Sequence, residues 1–151
     1  MTPAEVTEYL HQHIPLTRHL GATLQLWDGK TVRLWAPLAP NLNHRNTAFG
    51  GSLSALGILV GWTLLHLALR ERGVPHRIVI QRSTTDFAEP VEGDFTATST
   101  LPEAARWERF LATLRRHARA RVVVTGSLAS ATGVGGTHEG VYAAFRLPEA
   151  G

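Results

Sequence analysis

Apolar and polar positions repeat with two different periods along this chain, and the places where the period changes mark its elements. Val6, Tyr9, Leu10 and His13 share one helical face behind a Thr2-x-x-Glu5 capping box. Pro3 stands at the first helical position and Pro15 ends the element. From Ala22 to Trp27 and from Thr31 to Ala36 the period drops to two, with Leu24, Leu26, Val32 and Leu34 on one face and the tight-turn pair Asp28-Gly29 between them. A polar loop, Pro37 to Thr47, feeds a long apolar helix, Gly51–Arg72, which Gly73 and Pro75 stop. Strands are predicted at Arg77–Phe87 and Phe95–Leu101 around a turn at 89–94. Pro102–Arg116 reads as an amphipathic helix with Trp107, Phe110, Leu111 and Leu114 at helical spacing. Arg121–Ala131 and Val141–Leu147 are the last expected strands, joined by a Gly-rich connection through Gly133, Gly135, Gly136 and Gly140. The order α-β-β-α-β-β-α-β-β predicts an α+β fold with a curved antiparallel sheet wrapped around the long helix.

That helix carries a second message. From Asn46 to Leu69 no residue is charged, a stretch long enough to cross a bilayer. Its first third reads as loop and helix start, and Gly57, Gly61 and His66 interrupt the rest. A helix buried on nearly all sides gives the same pattern, so no membrane span is expected. Ser54, Gly57 and Gly61 fall on one stripe, which reads as a close-packing surface against the sheet rather than a membrane helix-pairing motif. At 151 residues the chain suits one domain, 1–151, with a proper core. It has no cysteine, which excludes disulfides, thiolate zinc sites and a cysteine nucleophile. The first residues lack a basic region followed by an apolar run, so a cytoplasmic location is expected. Of its 15 basic residues 14 are Arg, and the net charge of +3 supports a preference for anionic ligands. No recognition motif points to nucleic acid.

The stretch Asn43-His44-Arg45-Asn46-Thr47-Ala48-Phe49-Gly50-Gly51-Ser52 is the most informative. A polar loop delivers two glycines at the start of a buried helix. Free N–H groups and the positive dipole end there suit an anion, or a carbonyl oxygen that becomes anionic during acyl transfer. Ser52 lacks the Gly-x-Ser-x-Gly elbow of a nucleophile. His11 and His13 point to different helix faces and cannot share a metal, so no metal site and no cofactor are expected.

These residues bring a family into view. Tyr9-Leu10-His11, Ile14-Pro15-Leu16, Ala36-Pro37-Leu38, Asn41-x-Asn43-His44, Thr47 through Leu53, Gly61-Trp62, Ile78-Val79-Ile80 and Phe87-x-x-Pro90-Val91-x-Gly93-Asp94 together resemble the hotdog-fold thioesterases. Within them the chain is similar to the group related to the C-terminal thioesterase domain of YiiD. The resemblance implies a sheet curled around the long helix, a homodimer or dimer of dimers with active sites between subunits, and hydrolysis of acyl thioesters on coenzyme A or acyl carrier protein. It implies that Gly50 and Gly51 polarise the thioester carbonyl and that Asn43 contacts the carbonyl or the attacking water. Two departures stand out: Phe49 replaces the His that opens the turn in common relatives, and Leu56-Gly57-Ile58-Leu59 holds no carboxylate where those relatives carry the base.

A neutral imidazole is a competent base near pH 7, which makes His44 the leading replacement. Asp86, late on its strand and able to reach across a dimer interface, is the second candidate, with a structural partnership to an Arg such as Arg82 as its alternative. Asn43 and Asn46 alone would hold water without a true base. Thr47, Phe49, Ser52 and Trp62 are expected along the substrate path. Arg106, Arg109, Arg115, Arg116, Arg119 and Arg121 form the one basic concentration, with Arg115 and Arg116 expected to capture coenzyme A phosphates or an acidic carrier helix. The same arginines also fit a solvated face. Against the enzyme reading stands a non-catalytic acyl-CoA or acyl-carrier binding module that has lost the carboxylate.

Overall fold

The computed structural model describes residues 1–149, so the last two residues of the expected domain lie outside the described residues. Helix α1, Pro3–His13, opens on the capping box: Thr2 Oγ1 accepts from the Glu5 amide at 3.2 Å and Glu5 Oε2 accepts from the Thr2 amide at 2.6 Å. A short helix that the sequence reading did not separate, α2 (Leu16–Leu20), follows Pro15 and ends at Gly21 in the left-handed region. Strands β1 (Thr23–Trp27) and β2 (Thr31–Ala36) form the hairpin, where Asp28 Oδ1 accepts from both the Lys30 and Thr31 amides.

The long helix is α3, Gly50–Glu71, followed by β3 (His76–Phe87), β4 (Phe95–Thr100), helix α4 (Ala104–His117), β5 (Arg119–Ser130) and β6 (Gly133–Arg146). One six-stranded sheet runs in the order β1-β2-β4-β5-β6-β3, with every pairing antiparallel. It curls around α3, the hotdog arrangement that the resemblance implies. α3 is apolar and long enough to cross a membrane, yet 78% of its most apolar window is buried inside the fold. Leu56, Val60, Leu64, Leu65 and Leu69 are almost wholly enclosed, in one core with Val32, Leu34 and Ala97 of the sheet and Leu111 and Leu114 of α4.

The Gly-rich connection is corrected by the structure. β6 begins at Gly133, so the glycines lie within the strand and the turn shrinks to Ala131 and Thr132. They are there because neighbours come too close for side chains. At Gly136, φ is +152° and a Cβ would overlap the Asp86 carbonyl; at Gly140 it would meet the Tyr142 ring.

The small stripe of α3 does face this strand. A Cβ on Gly57 would stand 2.8 Å from His138 Cβ, and one on Gly61 would stand 2.8 Å from Tyr142 Cζ. The Tyr142 hydroxyl passes beside Gly61 and donates to the Ile58 carbonyl at 2.7 Å.

Candidate active site

Loop 37–49 is a built element with its own hydrogen-bond frame. Buried Asn41 donates through Nδ2 to the carbonyls of Leu20 and Pro37, and its own carbonyl accepts from the Phe49 amide at 2.7 Å. Asn43 closes the next turn. Its Oδ1 accepts from the Arg45 and Thr47 amides at 2.8 and 3.1 Å, while Nδ2 donates to Thr47 Oγ1 at 2.8 Å. Asn46, at φ 62°, supplies the left-handed residue that this turn requires. The Ala48 amide donates to the Val91 carbonyl at 2.8 Å, tying the loop to the segment before β4.

Phe49 caps α3 without a side-chain bond, and its carbonyl accepts from the Ser52 and Leu53 amides. The Gly50 and Gly51 amides have no partner among the described residues, so two donors stand free at the positive end of a 22-residue helix. Two aromatic rings flank them. Phe49 lies over Gly51, and Phe87 at the end of β3 stands 3.4 Å from where a Gly50 Cβ would be. Phe49 is 57% exposed and Phe87 56%, unusual for phenylalanine and suited to a ligand or a second chain.

The other expected residues divide. His44 is exposed on the same loop, and Thr47 holds Asn43. Ser52 is buried within the first turn. Trp62 lines an apolar cavity of about 470 Å³ with Ala55, Ile58 and Leu59 of α3 and Ile78 and Ile80 of β3. Its Nε1 donates to the Ile78 carbonyl at 3.2 Å. The cavity starts one helical turn from Gly51.

Asp86 stands late on β3, one residue from its end. β3 carries a bulge between Ile80 and Arg82, which reverses the facing of every later residue. Ser83, Thr85 and Phe87 therefore turn toward α3: Ser83 Oγ lies 2.8 Å from His138 Nε2, and Ser54 Oγ donates to Thr85 Oγ1 at 3.0 Å. Asp86 faces the other way, onto the outer surface of the sheet, away from Gly50 and Gly51 within this chain. Arg115 and Arg116 are likewise exposed in the last turn of α4, apart from the loop and its helix.

The sequence reading missed Phe87, and it missed the Ser54–Thr85 and Ser83–His138 pairs. Burial lowers the affinity of the His138 imidazole for a proton. The alternation of Gly136, His138, Gly140 and Tyr142 along one face of β6 is the signal that points to this close approach.

The sequence profile of a family described as "Putative thioesterase (yiiD_Cterm)" matches residues 3–146. The chain belongs to this family. Solved structures share the fold across nearly its whole length. A protein of unknown function from Chlorobaculum tepidum TLS superposes with a TM-score of 0.89 at 24% identity, covering 96% of this chain and 94% of that one. A structure described as a "putative thioesterase" from Shewanella oneidensis gives 0.85 at 23% identity, covering 97% of each chain. A thioesterase from Haemophilus influenzae gives 0.77 at 14% identity, covering 99% of this chain and 94% of that one. These structures share the fold while most side chains differ. The family's thioesterase description agrees with free amides beside an apolar cavity.

Proposed function

We propose that this protein hydrolyses acyl thioesters, with coenzyme A or a carrier protein as the thiol. The observation that carries the reading is the pair of unpartnered amides at Gly50 and Gly51, set between two exposed phenylalanine rings. The carbonyl oxygen docks on these amides, and the acyl chain runs along α3 into the cavity walled by Trp62. His44 takes a proton from water as its oxygen attacks the carbonyl carbon. Charge develops on the oxygen at the amides, the C–S bond breaks, and the proton passes to the sulfur. The products are a carboxylic acid and a thiol.

Asn43 acts through the loop. Its side-chain hydrogen bonds are spent inside the turn, which makes it a positioning residue, with Asn46 shaping the same turn. A second copy completes the site in this proposal. β3 is a twelve-residue edge strand with Val79 and Phe87 exposed, a surface suited to antiparallel pairing.

Free-thiol release from short-, medium- and long-chain acyl-CoAs tests the proposal. His44→Ala is expected to lower kcat by about 100-fold with the fold intact, the scale of a lost general base. Asn43→Ala is expected to lower it at least about tenfold and to destabilise the chain, since the turn loses the side-chain hydrogen bonds that frame it. Full turnover in His44→Ala would place the base elsewhere. No release from any acyl-CoA or from acyl carrier protein would favour the binding-module reading.

A further inference from the structure

The outer face of the sheet carries a groove and a cleft that the proposed reaction has not yet used. Cross-strand register stacks the residues out of phase with buried Val122, Val124 and His138 into rows over β5, β6 and β3. These rows are Arg121/Ala143/Val79, then Val123/Val141/Arg82, then Thr125/Glu139/Thr84, then Ser127/Thr137/Asp86. Beside the first two, Arg106 and Arg109 of α4 join Arg121 around a groove of about 300 Å³ floored by Phe110, Val123 and Val141. The ion pairs among the described residues are Arg18–Glu8 and Arg72–Glu108, so none of the three groove arginines has a carboxylate partner there.

A cleft of about 780 Å³ shares Arg106 and Val123 with this groove and continues past Thr125, Ser127 and Thr137 to Asp86. The next residue, Phe87, has its ring beside Gly50. From Val123 to Ser127 the strand covers roughly 13 Å at ~3.3 Å per residue. Charge changes sign along this path. The groove is basic, whereas Glu103, Glu139 and Asp86 border the cleft. An anion is held at the far end and repelled from the middle, while hydroxyls along the cleft suit the amides of a neutral chain.

We propose that the Arg106–Arg109–Arg121 groove binds the phosphate-bearing head of the substrate, whose neutral arm lies along the cleft and brings the thioester round the end of β3 to Gly50 and Gly51. This rests on the thioesterase reading and assigns its recognition to residues other than Arg115 and Arg116. Guanidinium groups hold phosphate oxygens in paired, charge-assisted hydrogen bonds. The same chemistry fits the phosphates of free coenzyme A and the phosphodiester of a carrier-borne arm.

Calorimetric titration of the full chain with coenzyme A and with holo-acyl carrier protein tests it. Kinetics run alongside on an acyl-CoA, an acyl carrier protein and a headless acyl-N-acetylcysteamine. In Arg106→Ala/Arg109→Ala/Arg121→Ala, three exposed positions, the affinity for the headed ligand is expected to fall at least about tenfold. KM for the headed substrate rises correspondingly, and headless turnover stays unchanged. Loss confined to the coenzyme A arm names free coenzyme A as the source, and loss confined to the carrier arm names the carrier. Unchanged affinity and KM in both arms, or no binding of either ligand to the unaltered chain, would overturn the groove. An unaltered chain inert on every substrate would overturn the thioesterase reading instead, and the titrations would still decide the groove.

Discussion

Gly57→Ala is expected to unfold at lower urea concentration than the unaltered chain, with about 2 kcal/mol lost, although alanine is the better helix former. In a solvent-facing helix the change gains up to about 1 kcal/mol from propensity. Here the added methyl would stand 2.8 Å from His138 Cβ and 2.9 Å from its Cγ. Those atoms lie at the root of a side chain on a central strand, so relief requires β6 or α3 to move, and overpacking of this kind costs about 1–3 kcal/mol. Gly61→Ala reaches the same sign differently. Its methyl would land on the fully buried Tyr142 ring and displace a hydroxyl that donates to the Ile58 carbonyl at 2.7 Å. The double change Gly61→Ala/Tyr142→Phe should recover part of the loss, because the colliding oxygen is then absent. Urea midpoints at unchanged m-value decide the matter. An alanine variant more stable than its parent would mean that the helix does not sit against β6 as closely as described.

This contact separates what was legible in the chain from what was not. The 54/57/61 stripe showed that something approaches α3, because small residues at helical spacing have few other uses. What approaches it was hidden. Glycines 133, 135, 136 and 140 have turn-like composition, and only the structure shows that the last three lie within reach of Val91, the Asp86 carbonyl and the Tyr142 ring. The facing of Asp86 was hidden for a related reason. The bulge before Arg82 sets it on the outer face, and a bulge has no signature in an apolar-polar pattern.

The candidate site was partly legible, since Gly50, Gly51 and Phe49 do meet at the start of α3. Asn43 was recognised as important, but its hydrogen bonds turn inward to the loop. Phe87 comes from a strand 37 positions beyond Gly50. Only the curl of the sheet brings the two together.

Acidification should cost this protein stability in a window set by one histidine. His76 Nδ1 lies 2.7 Å from the Val74 carbonyl, so it must carry a proton and donate. In the neutral ring His76 Nε2 is then an acceptor, and His66 Nδ1, 2.8 Å away, is its donor. That leaves His66 Nε2 as a lone pair, buried and without a partner among the described residues. Adding a proton there creates a charged donor with nothing to receive it, stacked between Tyr9 and Trp62. Burial first, then the nearby His76, Arg70 and His13, bring the His66 imidazole down from 6.5 to about 4.

The sign follows from linkage. Above pH 6.5 both folded and unfolded chains keep His66 neutral. Between pH 6.5 and 4 the unfolded chain binds a proton that the folded chain refuses, so stability falls as pH drops, by roughly 3 kcal/mol in all, and levels off below. Buried His138, shifted in the same direction, adds to the same limb. His66→Phe keeps rings against Tyr9 and Trp62, now 4.9 Å from each, but cannot titrate. It forfeits one hydrogen bond, about 1 kcal/mol at neutral pH. Urea unfolding should therefore find His66→Phe the weaker protein at pH 7.5 and the stronger at pH 4.5. Two curves that run parallel across that range would show that the acid-sensitive group lies elsewhere.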